Sequence, residues 1–435
     1  MGMLNLMILI LTGTALFVWS VSTKSDRTRE RAIIRLSLLG LLVTGLATGL
    51  LDGAFRYGLL LLVLVVQGIG GIRMLAGKEE KPYRLRASLT RFVATLLLMP
   101  LVLMPAILFP QYRLPVASGH YEVATSRYTW TDETRPDTYS QTGGNRKLTV
   151  ECWYPASSGE TFPLIVFSHG AFGFSGSNHS TFTELASNGY VVASIGHTHH
   201  AFFTRDTDGI LTTVDPVFLE QATALNATHD PARVQETFET TAGWMALRTA
   251  DVAFVLDTIR SACENKEAGP LFSAINPDKI GLMGHSLGGA TAAQMGRERG
   301  DIGAVIVLDG TMLGETLAVG NNLPILNDTP YPVPLLNLYA QDHYRDAKQT
   351  EGEAYANFHA TRLAANARET VFQDAGHLNF TDLPLFSPLL AKQLGTGTID
   401  PRFCIETMNG VVRAFFDEHL KGAAPADIAA EYAAP

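Results

Sequence analysis

The hexapeptide Gly284-His285-Ser286-Leu287-Gly288-Gly289 constrains this chain more than any other stretch, because of what flanks it. An apolar run, Lys279 to Met283, leads into it, and the small-residue helical stretch Ala290 to Arg297 follows. Strand, tight turn and helix in that order describe a nucleophile elbow, in which a strained turn lifts one serine hydroxyl above a sheet edge. Side chains at 284 or 288 would collide with the neighbouring strand or helix across so sharp a turn, so both positions call for glycine. Ser286 is therefore the candidate nucleophile. The competing description is a glycine-rich helix start with an ordinary N-cap serine.

The 435 residues leave room for a full sheet-based domain plus something more, and the extra material lies in front. Leu4 to Val21, Ile33 to Leu51, Leu59 to Leu75 and Phe92 to Phe109 are four apolar runs of about the length that crosses a bilayer as a helix. No comparable run follows Pro110. The first run reads as a retained span: Met1 to Asn5 carries no positive side chain and no small-residue cleavage site precedes the charged loop. A buried helical subdomain of a soluble protein is the rival reading. Basic loops and glycines within the runs (Gly40, Gly45, Gly49, Gly68, Gly70, Gly71) favour the membrane.

Charge sets the expected orientation. Lys24, Arg27, Arg29 and Arg31 follow the first run; Lys78, Lys81, Arg84, Arg86 and Arg91 follow the third; only Asp52 and Arg56 lie between the second and third. The positive-inside rule makes the two basic loops cytoplasmic and places the remainder of the chain outside, in a periplasmic or extracellular position. Residues 1–110 carry a surplus of seven positive charges (12 Lys and Arg against 5 Asp and Glu), and the remainder a surplus of sixteen negative ones (21 against 37). So acidic a second part argues against a nucleic-acid partner. Cys152, Cys263 and Cys404 form no disulfide framework and no paired metal spacing, although one bridge and one free thiol are compatible with the count.

The expected organisation is a four-helix transmembrane domain over residues 1–110, a linker with early edge strands over 111–147, and a catalytic domain over 148–435. In the last, Leu148 to Tyr154, Pro163 to Ser168, Tyr190 to Gly196, Lys279 to Gly284, Gly303 to Asp309, Pro334 to Ala340 and Thr370 to Asp374 are strand candidates. Thr181 to Ser187, Glu236 to Ser261, Leu287 to Arg299 and Glu406 to Leu420 are helical. The alternation specifies an α/β fold with a mostly parallel sheet covered on both faces. The alanine-rich tail after Gly422 reads as loosely ordered.

Chemistry in such sheets gathers at the carboxyl ends of the strands. A serine hydroxyl needs a general base there, itself oriented by a carboxylate, and in elbow enzymes the chain order is serine, acid, histidine. His377 stands just past the last strand candidate, in a loop that can carry imidazole over the elbow. His359 and His419 sit in helical stretches, and His343 falls in a loop with fewer elements before it. For the acid, Asp309 ends one strand after the elbow and Asp342 follows the next; spacing does not choose between them. The oxyanion donors are expected at the N–H of Leu287 and, in the glycine-bearing turn after Ser168, that of Ala171, with Phe172 as the alternative. His169 is read as support for that turn.

Phe167-Ser168-His169-Gly170, the elbow with its double glycine, Leu308-Asp309-Gly310, Arg248-x-x-Asp251 and His377-Leu378-Asn379-Phe380-Thr381-Asp382 together resemble the type II platelet-activating factor acetylhydrolases, the lipoprotein-associated phospholipase A2 family of α/β hydrolases. The likeness runs from about Leu148 to Leu420 and excludes the helical front. It implies Asp309 as acid, His377 as base, and Ala171 and Leu287 as oxyanion donors. It also implies a serine ester hydrolase acting through an acyl-enzyme on short-acyl or lipid-like carboxylic esters, with no cofactor and no metal. Acyl transfer by the same triad, or a non-catalytic membrane sensor on a hydrolase fold, are the rival functions. His197-Thr198-His199-His200 invites a metal reading but lacks a fixed ligand set. His197, His199, Phe172 and Phe202 are expected instead to line the rim of the acyl pocket. Oligomeric state is not legible.

Overall fold

The computed structural model describes residues 2–434 apart from 53–54, 78–81, 141–142, 157–158, 228–232 and 266–268. Lys78 and Lys81 of the second basic loop lie outside the described residues. The chain divides into two compact units, Met1–Arg113 with Leu385–Ala391, and Leu114–Pro384 with Lys392–Pro435.

The first unit contains helices α1 (Gly2–Thr23), α2 (Thr28–Ala47), α3 (Gly58–Ala76) and α4 (Leu85–Leu108). Three of them, α1, α3 and α4, are long and apolar enough to cross a membrane, with mean hydropathies of 2.0, 2.2 and 2.1. The expectation of four such helices is corrected at α2. It begins at Thr28, taking in Arg29, Glu30 and Arg31, and it stops at Ala47, just before Gly49 turns to a φ of 72°. Starting early and ending early replaces apolar residues with charged ones in its helical span. Small residues set the packing: a Cβ on Gly71 would lie 3.2 Å from the Ala32 carbonyl oxygen, so α2 and α3 approach backbone to backbone.

The second unit is built on a nine-stranded sheet: β1 (Val123–Pro136), β2 (Asn145–Pro155), β3 (Phe162–Ser168), β4 (Val191–Gly196), β5 (Ile275–His285), β6 (Ile302–Leu308), β7 (Leu335–Ala340), β8 (Ala367–Phe372) and β9 (Glu431–Tyr432). Their order in the sheet is β1-β2-β4-β3-β5-β6-β7-β8-β9. β1 and β2 are antiparallel to their neighbours, and from β4 to β9 every pairing is parallel. Helices α5 (His179–Ser187), α6 (Val234–Glu264), α7 (Leu287–Glu298), α8 (Gln341–Thr350), α9 (Ala356–Leu363) and α10 (Pro401–Lys421) occur between the strands.

Alternation along β3 explains the layers. Leu164 and Val166 enter one core with Val252, Val255 and Ile259 of α6 and Ala292 of α7, while Ile165 and Phe167 enter a second with Phe182 of α5 and Phe415 and Phe416 of α10. Each such side chain contributes roughly 1.5–3 kcal/mol on burial, so a strand packed on both faces is doubly held. The stretch expected to hold a linker and early edge strands contains the long strand β1, paired with β2 from Val123↔Pro155 to Asp132↔Arg146. The tail does not end loosely, since Glu431 and Tyr432 add an edge strand beside Val371 and Phe372. Cys152, Cys263 and Cys404 are all free thiols.

Candidate active site

Parallel pairing brings the carboxyl ends of β3, β5, β6, β7 and β8 to one edge, where Ser286, Asp309 and His343 each follow a strand within three residues and His377 follows within five. Ser286 has φ 56° and ψ −126°, a region that side chains rarely adopt, and its N–H donates to the Leu308 carbonyl at 2.9 Å. The strain is held by contacts only glycine permits. A Cβ on Gly288 would stand 1.9 Å from the Ser168 oxygen, one on Gly284 2.1 Å from the Gly288 oxygen, and one on Gly310 2.2 Å from the Ser286 oxygen. Leu287 opens α7, and the first N–H groups of a helix have no carbonyl partner within it. The turn after β3 lies alongside, since a Cβ on Gly170 would be 3.2 Å from Ser286 Cβ.

Asp309 is buried, also at positive φ (50°), and it receives three hydrogen bonds. His377 Nδ1 lies 2.6 Å from Oδ2; the Ala340 N–H donates at 2.7 Å and His343 Nδ1 lies at 3.1 Å, both on Oδ1. Burial pushes this carboxyl towards its neutral form, but His343 and His377 outweigh that and hold it well below the usual carboxylate range. Asp342 is not in the cluster's hydrogen bonds; its carboxylate accepts from the His343 N–H at 2.8 Å, and burial raises its pKa.

The sequence missed the part His343 plays. It was expected in a loop and lies in the first turn of α8, where a helix start following β7 carries it onto Asp309. Its Nε2 lies 3.2 Å from the Tyr355 hydroxyl, itself 3.1 Å from Thr311 Oγ1. Burial alone would lower its pKa, yet Asp309 and then Asp342 and Asp346 push it up to about 8. Carboxylate and imidazole atoms of Asp309, His343 and His377 all lie within 4.8 Å of one another, a donor set a divalent metal could use, though both imidazole Nδ1 atoms are already engaged by the carboxylate.

The segment after His377 owes its form to backbone tethers. Asn379 Oδ1 accepts from Gly376 and Gly397 N–H at 2.9 and 2.8 Å, and Asp382 accepts from the Ser180 N–H at 2.8 Å at the start of α5. Phe380 offers its carbonyl to Asn178 Nδ2 at 2.6 Å. His285 Nε2 donates to the His377 carbonyl at 3.0 Å.

Beneath the 169–171 turn is a buried polar layer. Arg248 donates to the carbonyls of His169 (2.5 Å), His200 (3.2 Å) and Gly170 (3.4 Å). His169 Nε2 accepts the His197 N–H at 3.3 Å, which leaves the Nδ1 proton to donate to the Gly170 carbonyl at 2.7 Å. This bears on the expected rim residues. His197 is fully buried, its Nδ1 on Asp251 at 2.9 Å and its Nε2 accepting from Ser168 Oγ at 2.9 Å, so it supports the turn from below and is not on the rim. Burial, with Arg248 next, lowers its pKa to about 4 and keeps it neutral. His199 faces the β1–β2 connection, 3.5 Å from Asp137 and stacked on Tyr139. Phe172 and Phe202 are exposed, at 41% and 57%, and their loops are joined by the Phe202 N–H donating to Gly173 O at 2.8 Å. The i, i+3 pair Arg248 and Asp251 on one helix face was the readable signal for this layer.

Residues 137–427 match the family described as platelet-activating factor acetylhydrolase, isoform II. Proteins named platelet-activating factor acetylhydrolase are similar to this chain: 25% identical over 293 residues in Canis lupus familiaris (61% of this chain, 59% of that protein) and 24% over 289 residues in Cavia porcellus (64% and 62%). The match thus spans about three fifths of the length of these relatives. A ferulic acid esterase from Streptomyces cinnamoneus shares the fold, with a TM-score of 0.54, 23% identity, and coverage of 72% of this chain and 94% of that one.

Proposed function

Because the chain belongs to the platelet-activating factor acetylhydrolase isoform II family, we propose that it is a membrane-anchored serine hydrolase of short-acyl or lipid-like carboxylic esters. The observation that carries the reading is the 2.6 Å bond between His377 and a buried Asp309, beside a serine held at positive φ. Ser286 Oγ attacks the acyl carbonyl and His377 takes its proton. The carboxylate of Asp309 holds the imidazole by Nδ1 and stabilises the imidazolium. N–H groups of Leu287 and Ala171 receive the oxyanion, and the leaving alcohol takes the proton back from His377. Water, deprotonated by His377, then attacks the acyl-enzyme; the acid leaves and Ser286 regains its proton. Phe172 and Phe202 present exposed aromatic surface to the acyl group.

Helices α1, α3 and α4 anchor the chain. By the positive-inside rule Arg84, Arg86 and Arg91 at the start of α4 are read as cytoplasmic, like the basic residues after α1; this orientation takes the 20-residue α2 across the bilayer with its neighbours, and the chain leaves α4 on the far side, where the catalytic unit works. A rate series over esters of increasing acyl length, on the full chain in detergent, tests the substrate class. Rates that rise steadily to long acyl chains would overturn the short-acyl assignment. A C-terminal reporter active only in the cytoplasm would overturn the topology.

A further inference from the structure

The four-helix unit carries a half-open cavity of about 210 Å³ whose lining includes Ser20, Arg31, Arg35, Gln67, Ser88 and Arg91. Ionisable side chains among membrane helices are costly and mark binding sites or pathways. Here they are also incompletely satisfied. Arg31 and Arg91 share one carboxylate, that of buried Asp26. The Nε atoms of both arginines are buried without an acceptor among the described residues. Arg35 has the Met74 sulfur at 3.5 Å, a weak acceptor. Glu30 pairs one carboxylate oxygen with Arg27 and does not line the cavity. Among the described residues, three guanidiniums against one carboxylate leave a surplus of two positive charges around the cavity. Apart from Thr12 and Thr95 the rest of the wall is apolar, with Leu9, Leu64 and Met99 buried in the bundle.

We propose that this cavity binds the phosphate headgroup of an anionic lipid, and a phosphomonoester in preference to a phosphocholine. Guanidinium forks match phosphate oxygens bidentately, and basic pockets between membrane helices suit anionic headgroups. A dianionic phosphate balances the surplus of two, whereas the quaternary ammonium of phosphocholine adds charge of the wrong sign. The volume takes a headgroup and not a whole lipid, so the chains extend along the apolar helix surfaces. The proposal rests on the membrane reading of α1, α3 and α4 and not on the hydrolase reading.

The test is binding to the full chain in phosphate-free detergent, with ether lipids that contain no cleavable ester. The probes are a 1-O-alkyl-glycerol 3-phosphate, the matching 1-O-alkyl-glycerophosphocholine, and inorganic phosphate alone. The phosphomonoester is expected to bind at least ~10-fold more tightly than the phosphocholine. Arg35→Gln, which leaves both Asp26 ion pairs in place, is expected to weaken it ~10-fold or more, the loss of one charge-assisted hydrogen bond. Inorganic phosphate binding as tightly as the lipid, and lost in Arg35→Gln, keeps the site but assigns it to a free anion and overturns the lipid source. Equal affinity for the two lipids on the wild-type chain overturns the proposal whether or not the variant folds. So does unchanged binding to Arg35→Gln. Ser286→Ala is expected to bind as the wild type does, which separates failure here from failure of the hydrolase reading.

Discussion

Replacing His343 with glutamine should shift the acid limb of the pH–rate profile to higher pH. His343 and His377 share Asp309, and their ring centroids are 6.4 Å apart. Asp309, and then Asp342 and Asp346, push the His343 pKa up to about 8, so it carries charge across most of the acid limb. A unit charge at that separation disfavours a second by about 2.6 kcal/mol at an effective dielectric of ~20 and by about 0.6 kcal/mol in water. At 1.36 kcal/mol per pKa unit, a repulsion of that size corresponds to roughly 0.5–2 pH units in the position of the acid limb. Glutamine keeps a donor for Asp309 but no charge, so the apparent pKa governing kcat/KM rises by that amount. The measurement is kcat/KM on a short-acyl ester from about pH 5 to about pH 9, which reports the free enzyme's essential groups. Asp309, Asp342 and Asp346 also face His343 and are unchanged by the substitution. An acid limb that stays in place, or moves to lower pH, refutes the coupling.

The same residue makes a stability prediction. Its pKa rises from 6.5 to about 8 on folding, so its contribution of about 2 kcal/mol is complete below pH 6.5 and is lost as pH rises through 8; the thermal midpoints of wild type and His343→Gln should converge across that window. Asp309→Asn should lower kcat by about 10⁴-fold, whereas Asp342→Asn should cost less than about tenfold; the reverse order would move the acid to Asp342. Gly288→Ala drives a Cβ into the Ser168 and His169 carbonyl oxygens and should cost at least about 3 kcal/mol in thermal unfolding. By contrast, Gly410→Ala in α10 meets no atom within 4 Å and should stabilise by about 0.5–1 kcal/mol; equal effects would mean that the elbow tolerates a side chain.

Sheet and elbow were legible because their signals are local. Continuous apolar runs mark strands buried on both faces, and Gly284, Ser286 and Gly288 carry the turn in their spacing. Asp309 against Asp342 was not a local question: both follow strands, and the choice depends on Asp309 adopting positive φ while a helix begins at Gln341. The same helix start hid His343. His197 looked like a rim residue because it follows a strand in a polar run, yet partners distant in sequence, Ser168 and Asp251, draw it inward. At α2 hydropathy located the apolar segment correctly, but the helix boundaries follow the turns at its two ends, Arg27 at φ 50° and Gly49 at φ 72°, and these brought three charged residues into the helix. The C-terminal edge strand escaped for a related reason: β9 is two residues long and exists only by pairing with β8.

The central claim is that Ser286 is the nucleophile of an ester hydrolase, and covalent labelling with a fluorophosphonate tests it most directly. The full-length chain should form one adduct, mapped to Ser286, with loss of esterase activity in proportion to labelling. Ser286→Ala should neither label nor turn over a short-acyl ester. A wild-type chain that hydrolyses the ester without labelling at Ser286, or an alanine variant that retains the activity, would contradict the account.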